Sequence, residues 1–299
     1  MSDKEGDGMT DSDGMRTFKE AAERWQEETQ HKRTAHEDTR KLLWIGRHLN
    51  HRRLREIDSD TLRDLARARR AEGSGPSTVN RYMALTRAIL RRAALDWEWI
   101  DRAPRVRLAP EPKRRVRWIT PDQARTLLQE LPEHQRDACL LALATGLRQR
   151  NVLGLKWTDI DFRSRIAWIY GDATKNGEDL QVPLNDTALE VLKRRRGRHS
   201  VYVLTYAGRP LKSINTRSWR KALKRAGITN FRWHDLRHTW ASWLVQRRVP
   251  LFVLQELGGW QSATMVRRYA HLSPSVNARY AAEIDQEFAR DSKSQYGPL

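Results

Sequence analysis

The sequence contains little cysteine and no long apolar run. Cys139 is its single cysteine among 299 residues, which excludes an internal disulfide and does not fit a zinc site built from cysteine thiolates. No segment is long and apolar enough to span a bilayer, and the first residues lack the apolar core of a secretion signal. We therefore expect a cytoplasmic protein in a reducing compartment, with no membrane association.

Positive charge is what the sequence has in excess. Lysine and arginine total 56 against 37 aspartates and glutamates, for a formal net charge of +19, and the arginines are spread along the chain. This balance favours a polyanionic partner, with nucleic acid as the leading candidate. A solubilising surface or one that faces a membrane would give the same net charge, so the motifs have to decide.

Helix signals and helix breakers predict two domains with a basic linker. Residues 1–15 are rich in Gly, Ser and Asp, which is typical of a disordered tail. Residues 16–103 show helical periodicity and predict a small, arginine-rich helical domain. Three prolines among five arginines and a lysine predict an extended basic linker over residues 104–117. A second domain would cover residues 118–290, followed by a C-terminal tail at 291–299.

Capping residues and alternation predict a mainly α fold with a small antiparallel β-sheet. The predicted helix N-caps are Thr17 with Glu20 as its capping-box partner, Asp58, Ser77 or Thr78, and Thr120 followed by Pro121 and Gln123. The segments Arg165 to Tyr170 and Asp179 to Leu184 alternate like strands around Asn176 and Gly177, a strong hairpin signal.

Two motifs place a single cation at a turn. Gly146 permits a sharp turn at a helix end, so that Arg148 can project from a rigid corner toward a ligand. Lys175 is at the tip of the predicted hairpin, where a lysine with a lowered pKa could give a proton to a leaving alkoxide. Each residue alone is more often an ordinary surface cation.

Two further motifs supply a histidine, an arginine, a tryptophan and a tyrosine. His234 and Arg237 are three residues apart at the start of a predicted helix, so they share a face and can approach one phosphate. A pair of glycines then ends another helix just before Trp260, and Tyr269 follows nine residues later on the next, short element. An isolated tyrosine in this position would usually be structural, but its hydroxyl could also be a nucleophile.

The four motifs, in this order, resemble the tyrosine recombinase, or phage integrase, family. The match covers nearly all of residues 17 to 290 and is most specific from Phe231 to Ser273. The resemblance implies a C-shaped clamp on duplex DNA, with residues 16–103 as a helical, SAM-like core-binding domain. Residues 118–290 would be the α+β catalytic domain.

The resemblance also implies a role for each motif residue. Arg148 and Arg237 would bind the scissile phosphate, and His234 would assist proton transfer. Tyr269 would attack and retain a 3′ phosphotyrosine, while Lys175 would be the general acid for the leaving 5′ hydroxyl. A 5′ hydroxyl from a partner strand could reverse the attack. A site-specific DNA recombinase of this kind, acting in phage or mobile-element integration and excision, needs no cofactor.

Two positions depart from the commonest pattern of the family. Trp260 occupies a position of the site where many members have a second histidine. Its indole N–H can donate a hydrogen bond but cannot shuttle protons. Asn151 is at a position that is often acidic; it can accept a hydrogen bond but cannot neutralise charge. The first departure would shift proton-transfer duty to Lys175 and His234.

The resemblance further implies partners beyond one DNA duplex. We expect a homotetramer on two duplexes, with a possible accessory DNA-bending or directionality protein. Terminal helices are commonly exchanged between neighbours in this family, and Val276, Tyr280, Ile284 and Phe288 have the spacing of one helix face. Packing within the same subunit is the alternative for that helix.

Two other functions fit parts of the sequence. A metal-dependent DNA nuclease could use His234 and His238 with His271, or the carboxylates of Asp159 and Asp161. Against it, no tight carboxylate cluster accompanies the histidines, and His238 is better explained by packing within its helix. A non-catalytic DNA-binding regulator on the same fold is the other alternative, which the complete set of reactive residues disfavours.

Overall fold

The computed structural model describes residues 16–111, 116–171, 177–214, 216–273, 281 and 284–285, and the chain divides into two compact units, Met1–Arg114 and Arg115–Leu299. Over the described ranges it is mainly helical with small antiparallel sheets, which confirms the predicted fold class. None of the helices in those ranges is both long enough and apolar enough to cross a membrane.

The first unit is a small helical domain. Its helices are α1 (Phe18–Thr29), α2 (Ala35–Leu49), α3 (Ser59–Ala71) and α4 (Pro76–Leu95). Apolar residues at helical spacing converge in its centre, where Phe18, Ile45 and Ile89 are fully buried. The predicted caps at Thr17 and Asp58 are confirmed, because each side chain accepts from backbone N–H groups of the first helical turn.

The predicted cap of α4 is wrong. This helix begins at Pro76, with Gly75 as its N-cap, rather than after Ser77 or Thr78. Proline suits the first helical position because its fixed φ is already helical and it lacks an N–H that would need a partner. The Ser77 hydroxyl instead donates to the Glu111 carboxylate.

The beginning of the predicted linker is extended and is fixed to the first unit. The side-chain amide of Asn80 donates to the carbonyl oxygen of Ala109 (2.8 Å), and its oxygen accepts from the backbone N–H of Ala109 (2.9 Å). The Ser59 hydroxyl donates to the carbonyl of Arg105 at 3.2 Å, and Val106 packs against the core of this unit. Side-chain bonds therefore satisfy a backbone that has no helix or sheet partners.

The second unit combines helices with two small sheets. Its helices are α5 (Pro121–Glu130), α6 (Glu133–Thr145), α7 (Gln149–Gly154), α8 (Asp186–Arg195), α9 (Arg217–Arg225), α10 (His234–Gln246), α11 (Leu251–Gly258) and α12 (Ala263–Arg267). Its strands are β1 (Ile160–Asp161), β2 (Ile166–Ile169), β3 (Leu180–Pro183), β4 (Thr205–Tyr206) and β5 (Arg209–Pro210). Thr120 caps α5 with Gln123 as its capping-box partner, as predicted.

The predicted hairpin is confirmed as the antiparallel pair β2 and β3. Ala167 faces Val182 in its register, and both side chains are buried. β1 joins the other edge of β2 to complete a three-stranded sheet. Asn176 lies outside the described residues, whereas Gly177 has the positive φ (77°) of a tight turn.

A buried charge network ties α6 to α8. The Asp137 carboxylate is fully buried and accepts from the Arg194 guanidinium at 2.6 Å. The Arg195 Nε lies 3.5 Å from the same carboxylate, and another of its nitrogens donates to the Thr205 carbonyl at 2.9 Å. The buried charges of Asp137 and Arg195 require such partners. The network therefore fixes α8 and β4 to α6, the helix that precedes Arg148.

Candidate active site

A glycine turn builds the corner that carries Arg148. α6 ends at Thr145, and Gly146 takes the left-handed conformation, with φ of 67°. A Cβ at this position would lie 2.3 Å from the Trp240 ring, so the close packing here permits only glycine. Arg148 follows in extended backbone at the start of α7, and burial lowers the pKa of its half-buried guanidinium.

α10 contributes two of the predicted site residues from its first turn. His234 begins the helix and remains exposed, whereas Arg237 is buried. Desolvation by surrounding protein atoms, followed by the positive charge of Arg237, lowers the pKa of His234 below its usual range. The protein environment thus favours the neutral form of His234 in the DNA-free chain.

The Arg237 guanidinium connects the ends of two other helices. It donates to the carbonyl oxygen of Gly146 at 2.7 Å and to that of Gly258 at 2.5 Å. Carbonyls at helix C-termini lack intrahelical partners and carry the negative end of the helix dipole, so they stabilise a buried cation. Burial, and then the charge of Arg148, lower the pKa of Arg237 to about 9, which leaves it positive at neutral pH.

Trp260 lies under this guanidinium. The central carbon of Arg237 is 4.1 Å from the Trp260 ring centroid, a cation–π contact. As predicted, two glycines end the preceding helix: Gly258 is its last residue and Gly259 is its left-handed C-cap, with φ of 58°. A Cβ on Gly258 would lie 2.1 Å from the Trp260 ring, so glycine is required for the close approach of this ring.

Tyr269 completes the cluster from a short irregular segment after α12. Its side chain is 1% exposed, and its ring centroid lies 6.0 Å from that of Trp260. Burial raises the pKa of Tyr269 to about 12, although the charges of Arg237 and Arg268 act in the opposite direction. The phenol is therefore protonated in the DNA-free chain.

The hydroxyl of Tyr269 contacts His238, a residue that the sequence analysis considered only as a metal ligand of the nuclease alternative. His238 Nδ1 lies 2.6 Å from the Tyr269 oxygen, whereas His238 was expected to pack within its own helix. Desolvation, followed by the charges of His234, Arg268 and Arg237, lowers the pKa of His238 to about 4. The signal for this contact was present in the sequence, since positions 234, 237, 238 and 241 form one helical face.

Lys175 lies outside the described residues, but the base of its hairpin can be placed. A cavity of about 150 Å³ is lined by Arg148, Trp260 and Leu180 of β3, together with the acidic residues Glu178, Asp179 and Glu256. Gly259 approaches the same strand, because a Cβ there would lie 3.0 Å from the Leu180 side chain. β3 therefore leads directly to the Arg148 corner.

Asn151 is buried one turn after Arg148. Within the described part of the chain, neither its side-chain oxygen nor its side-chain nitrogen has a hydrogen-bond partner. The Asn151 side chain therefore does not balance the charge of Arg148 in this structure.

The residues of the metal-site alternative have other contacts or lie in solvent. Asp159 accepts from the backbone N–H of Lys156, and Asp161 accepts from that of Arg163, so each carboxylate closes a local turn. His271 is exposed. In the ranges given above, no group of three or more His, Cys, Asp or Glu side chains is arranged to hold a metal ion.

Comparison with known proteins identifies the class. Residues 117–275 match the model of the phage integrase family. The integrase of Salmonella phage P22 is 37% identical over 312 residues, which cover 91% of this chain and 80% of that protein. A XerC-like tyrosine recombinase of Caldanaerobacter subterraneus is 29% identical over 58% of this chain and 55% of its own length.

Solved structures show the same fold at lower identity. A lambda integrase dimer bound to a COC′ core site has a TM-score of 0.72 at 23% identity, covering 87% of this chain and 78% of that one. The Tn1549 transposon integrase in complex with a circular intermediate DNA also has a TM-score of 0.72, at 17% identity, covering 90% and 99%. The chain belongs to the phage integrase family and is a tyrosine site-specific recombinase.

Proposed function

We propose that this recombinase cuts and rejoins duplex DNA during integration or excision of a phage or mobile element, with Tyr269 as the nucleophile. The observation that carries the proposal is the double contact of Arg237 with the carbonyls of Gly146 and Gly258. This contact holds the Arg148 corner and the Trp260 segment on α10, the helix that also carries His234. Three separate stretches of sequence are thus joined around one cationic cluster. The similarity to the P22 integrase supports the biological setting.

Arg148 and Arg237 would hold the two non-bridging oxygens of the scissile phosphate. A planar guanidinium can donate two parallel hydrogen bonds to such oxygens, and Arg237 has further N–H donors beyond the two that contact carbonyls. The oxygens gain charge in the transition state, so these bonds become stronger there than in the ground state. His234, exposed beside Arg237, would donate a further hydrogen bond to a phosphate oxygen.

Tyr269 would make the covalent bond. Its oxygen attacks phosphorus, the bond from phosphorus to the 5′ oxygen breaks, and the 3′ phosphate remains on the tyrosine. The phenol must lose its proton in this step, which a pKa of about 12 opposes in the DNA-free state. Binding of the phosphate next to Arg237 would place the developing charge among cations, with His234 assisting the removal of the proton.

Lys175 would protonate the departing 5′ oxygen from its hairpin. β3 begins beside Arg148 and Trp260, so a lysine on the loop before this strand would be within reach of a phosphate bound there. The rejoining step is the reverse: a 5′ hydroxyl of the partner strand attacks the phosphotyrosine and releases Tyr269. Because the phosphotyrosine retains the bond energy, the cycle needs neither ATP nor a metal cofactor.

Trp260 would support the site by packing instead of proton transfer. Its ring lies against the Arg237 guanidinium, between the rings of Trp240 and Tyr269. A histidine at this position could shuttle a proton, whereas an indole offers a single N–H donor. The geometry supports a role for Trp260 in keeping Arg237 and Tyr269 at a fixed separation.

A nicked suicide substrate that carries the crossover site tests the proposal. The wild-type chain should become covalently trapped on this DNA, in the presence of EDTA as well as in its absence. Tyr269→Phe should bind the DNA and form no adduct, whereas Tyr206→Phe, the same change at an exposed position, should behave as wild type. Cleavage that persists in Tyr269→Phe, or that stops in EDTA, would favour a metal-dependent nuclease. Wild type that binds DNA and forms no adduct would favour a non-catalytic regulator.

The proposed partners are double-stranded DNA and three further copies of the chain, on two duplexes. A lambda integrase tetramer bound to a Holliday junction has the same fold, with a TM-score of 0.72 at 22% identity. An accessory DNA-bending or directionality protein is part of the proposal for regulated integration and excision. The expected exchange of the C-terminal helix falls on residues of which only 281 and 284–285 are described. Deletion of residues 275–299 should reduce cooperative assembly on DNA more than binding to a single site.

A further inference from the structure

His238 is a partly buried titratable residue for which the mechanism above has no task. On one side, its Nδ1 lies 2.6 Å from the Tyr269 hydroxyl. On the other side, its ring meets that of His234 edge to face, with centroids 5.0 Å apart. His238 therefore lies between a side chain proposed to contact the phosphate and the proposed nucleophile.

The two partners in this contact differ in how firmly the fold holds them. His238 is in the second turn of α10, next to Arg237, whose carbonyl contacts fix this helix to the ends of α6 and α11. Tyr269 follows the five-residue helix α12 and precedes a single turn of 3₁₀ helix, Ala270–Leu272. Such short elements fix a side chain less firmly than a long packed helix does. The hydrogen bond between the Tyr269 hydroxyl and His238 Nδ1 is thus a direct restraint on the hydroxyl.

We propose that His238 is a positioning residue for the nucleophile: its Nδ1 accepts a hydrogen bond from the Tyr269 hydroxyl and holds this hydroxyl beside the phosphate-binding residues of α10. This inference rests on the proposed function, because it assumes that Tyr269 attacks DNA. The alignment of a nucleophile with its target is worth several orders of magnitude in rate, and a displacement of about 1 Å can cost about a hundredfold.

The chemistry of the pair favours positioning over proton removal by His238 in this conformation. Burial raises the pKa of the phenol to about 12 and lowers the pKa of the imidazole to about 4, so the proton stays on the tyrosine. The charged or titratable groups that face His238 are His234, Arg268 and Arg237, all of which disfavour a second proton on its ring. The phenol is the stronger donor of the pair, so its O–H donates and Nδ1 accepts, with the imidazole proton on Nε2.

Two substitutions separate the hydrogen bond from the volume of the side chain. His238→Asn keeps an acceptor close to the position of Nδ1, whereas His238→Leu keeps an apolar side chain of similar size without an acceptor. Each variant and the wild type would be titrated against the nicked suicide substrate in single-turnover reactions. The titration gives a maximal rate of adduct formation and a half-saturating protein concentration.

We expect His238→Leu to lower the maximal rate about 10- to 100-fold with an unchanged half-saturating concentration. His238→Asn should recover most of this rate, and the thermal unfolding midpoints of the two variants should be similar. If His238→Leu does not fold, His238→Gln takes its place, because its acceptor is displaced by one methylene. The maximal rate of the Gln variant should then be lower than that of the Asn variant.

Three results would contradict the inference while the wild type forms adduct. In the first, the Leu or Gln variant forms adduct as fast as wild type. In the second, it forms adduct faster than wild type, which would mean that the contact holds the tyrosine back from attack. In the third, the Asn variant is as slow as the Leu variant. Failure of the wild type to form any adduct would instead overturn the proposed function, and this inference with it.

Discussion

Substitution of Gly146 by alanine tests whether the Arg148 corner depends on the packing of Trp240 against backbone. The change adds one methyl group at a position with φ of 67°, where the new Cβ would lie 2.3 Å from the nearest carbon of the Trp240 ring. Trp240 is buried, and its ring centroid lies 6.1 Å from that of Trp260. The ring therefore cannot retreat without displacing the surface on which Arg237 lies.

The expected loss has two parts. A non-glycine residue in the left-handed region costs about 1 to 2 kcal/mol. Relief of a contact with a packed aromatic ring costs about 1 to 3 kcal/mol more, as for other overpacked cores. Gly227→Ala is the matched control, because Gly227 also follows a helix, has φ of 65°, and has no atom near its would-be Cβ. The control should therefore show the backbone cost alone.

Urea unfolding of the two variants, followed by tryptophan fluorescence, measures this difference. Gly146→Ala should lower the free energy of unfolding by about 2 to 5 kcal/mol, and Gly227→Ala by about 1 to 2 kcal/mol. Adduct formation should fall in Gly146→Ala, because the carbonyl of this residue anchors Arg237, and should be unchanged in Gly227→Ala. Equal losses of stability in the two variants would refute the argument that Trp240 closes this corner.

Two other expectations concern buried charge. Asp137→Asn should destabilise the chain by about 3 to 5 kcal/mol in the same assay, because it leaves the buried Arg195 without its carboxylate. Asp186→Asn, at an exposed pair with Arg165, should cost less than about 1 kcal/mol, and a similar loss at both sites would contradict the first estimate. Below pH 6.5 the unfolded chain binds a proton at His238 before the folded chain does, so stability should fall toward pH 4. The part due to His238 is about 3 kcal/mol, since each pKa unit between the two states is worth about 1.4 kcal/mol. In His238→Asn the fall should be smaller, and an unchanged slope would show that His238 is not the group responsible.

Local signals accounted for much of the fold. The caps at Thr17, Asp58 and Thr120 were predictable because their side-chain bonds span only three residues. The helix ends at Gly146 and Gly259 were predictable because only glycine is at ease in the left-handed region. The start of α4 was missed because two good capping residues, Ser77 and Thr78, follow Pro76, whereas the helix begins at the proline itself.

The contacts that build the site depend on long-range packing, which a linear pattern does not contain. Arg237 bonds to a carbonyl 91 residues earlier and to another 21 residues later. The contact between His238 and Tyr269 spans 31 residues and exists only because α10 and the segment after α12 pack together. Side-chain types and spacing could name the candidate reactive residues, but not the acceptors that hold them.

The environment of Arg237 suggests why this site can have a neutral residue, Asn151, at a position that is often acidic. A buried guanidinium needs compensation, and here two carbonyl oxygens and the face of Trp260 provide it through partial charges. A full negative charge would compete with a phosphate for the same N–H donors, whereas carbonyls and a ring leave the net charge of the cluster positive. Asn151, buried and neutral close to Arg148, preserves this excess. The cluster is thus stabilised by the fold while it retains its attraction for an anion.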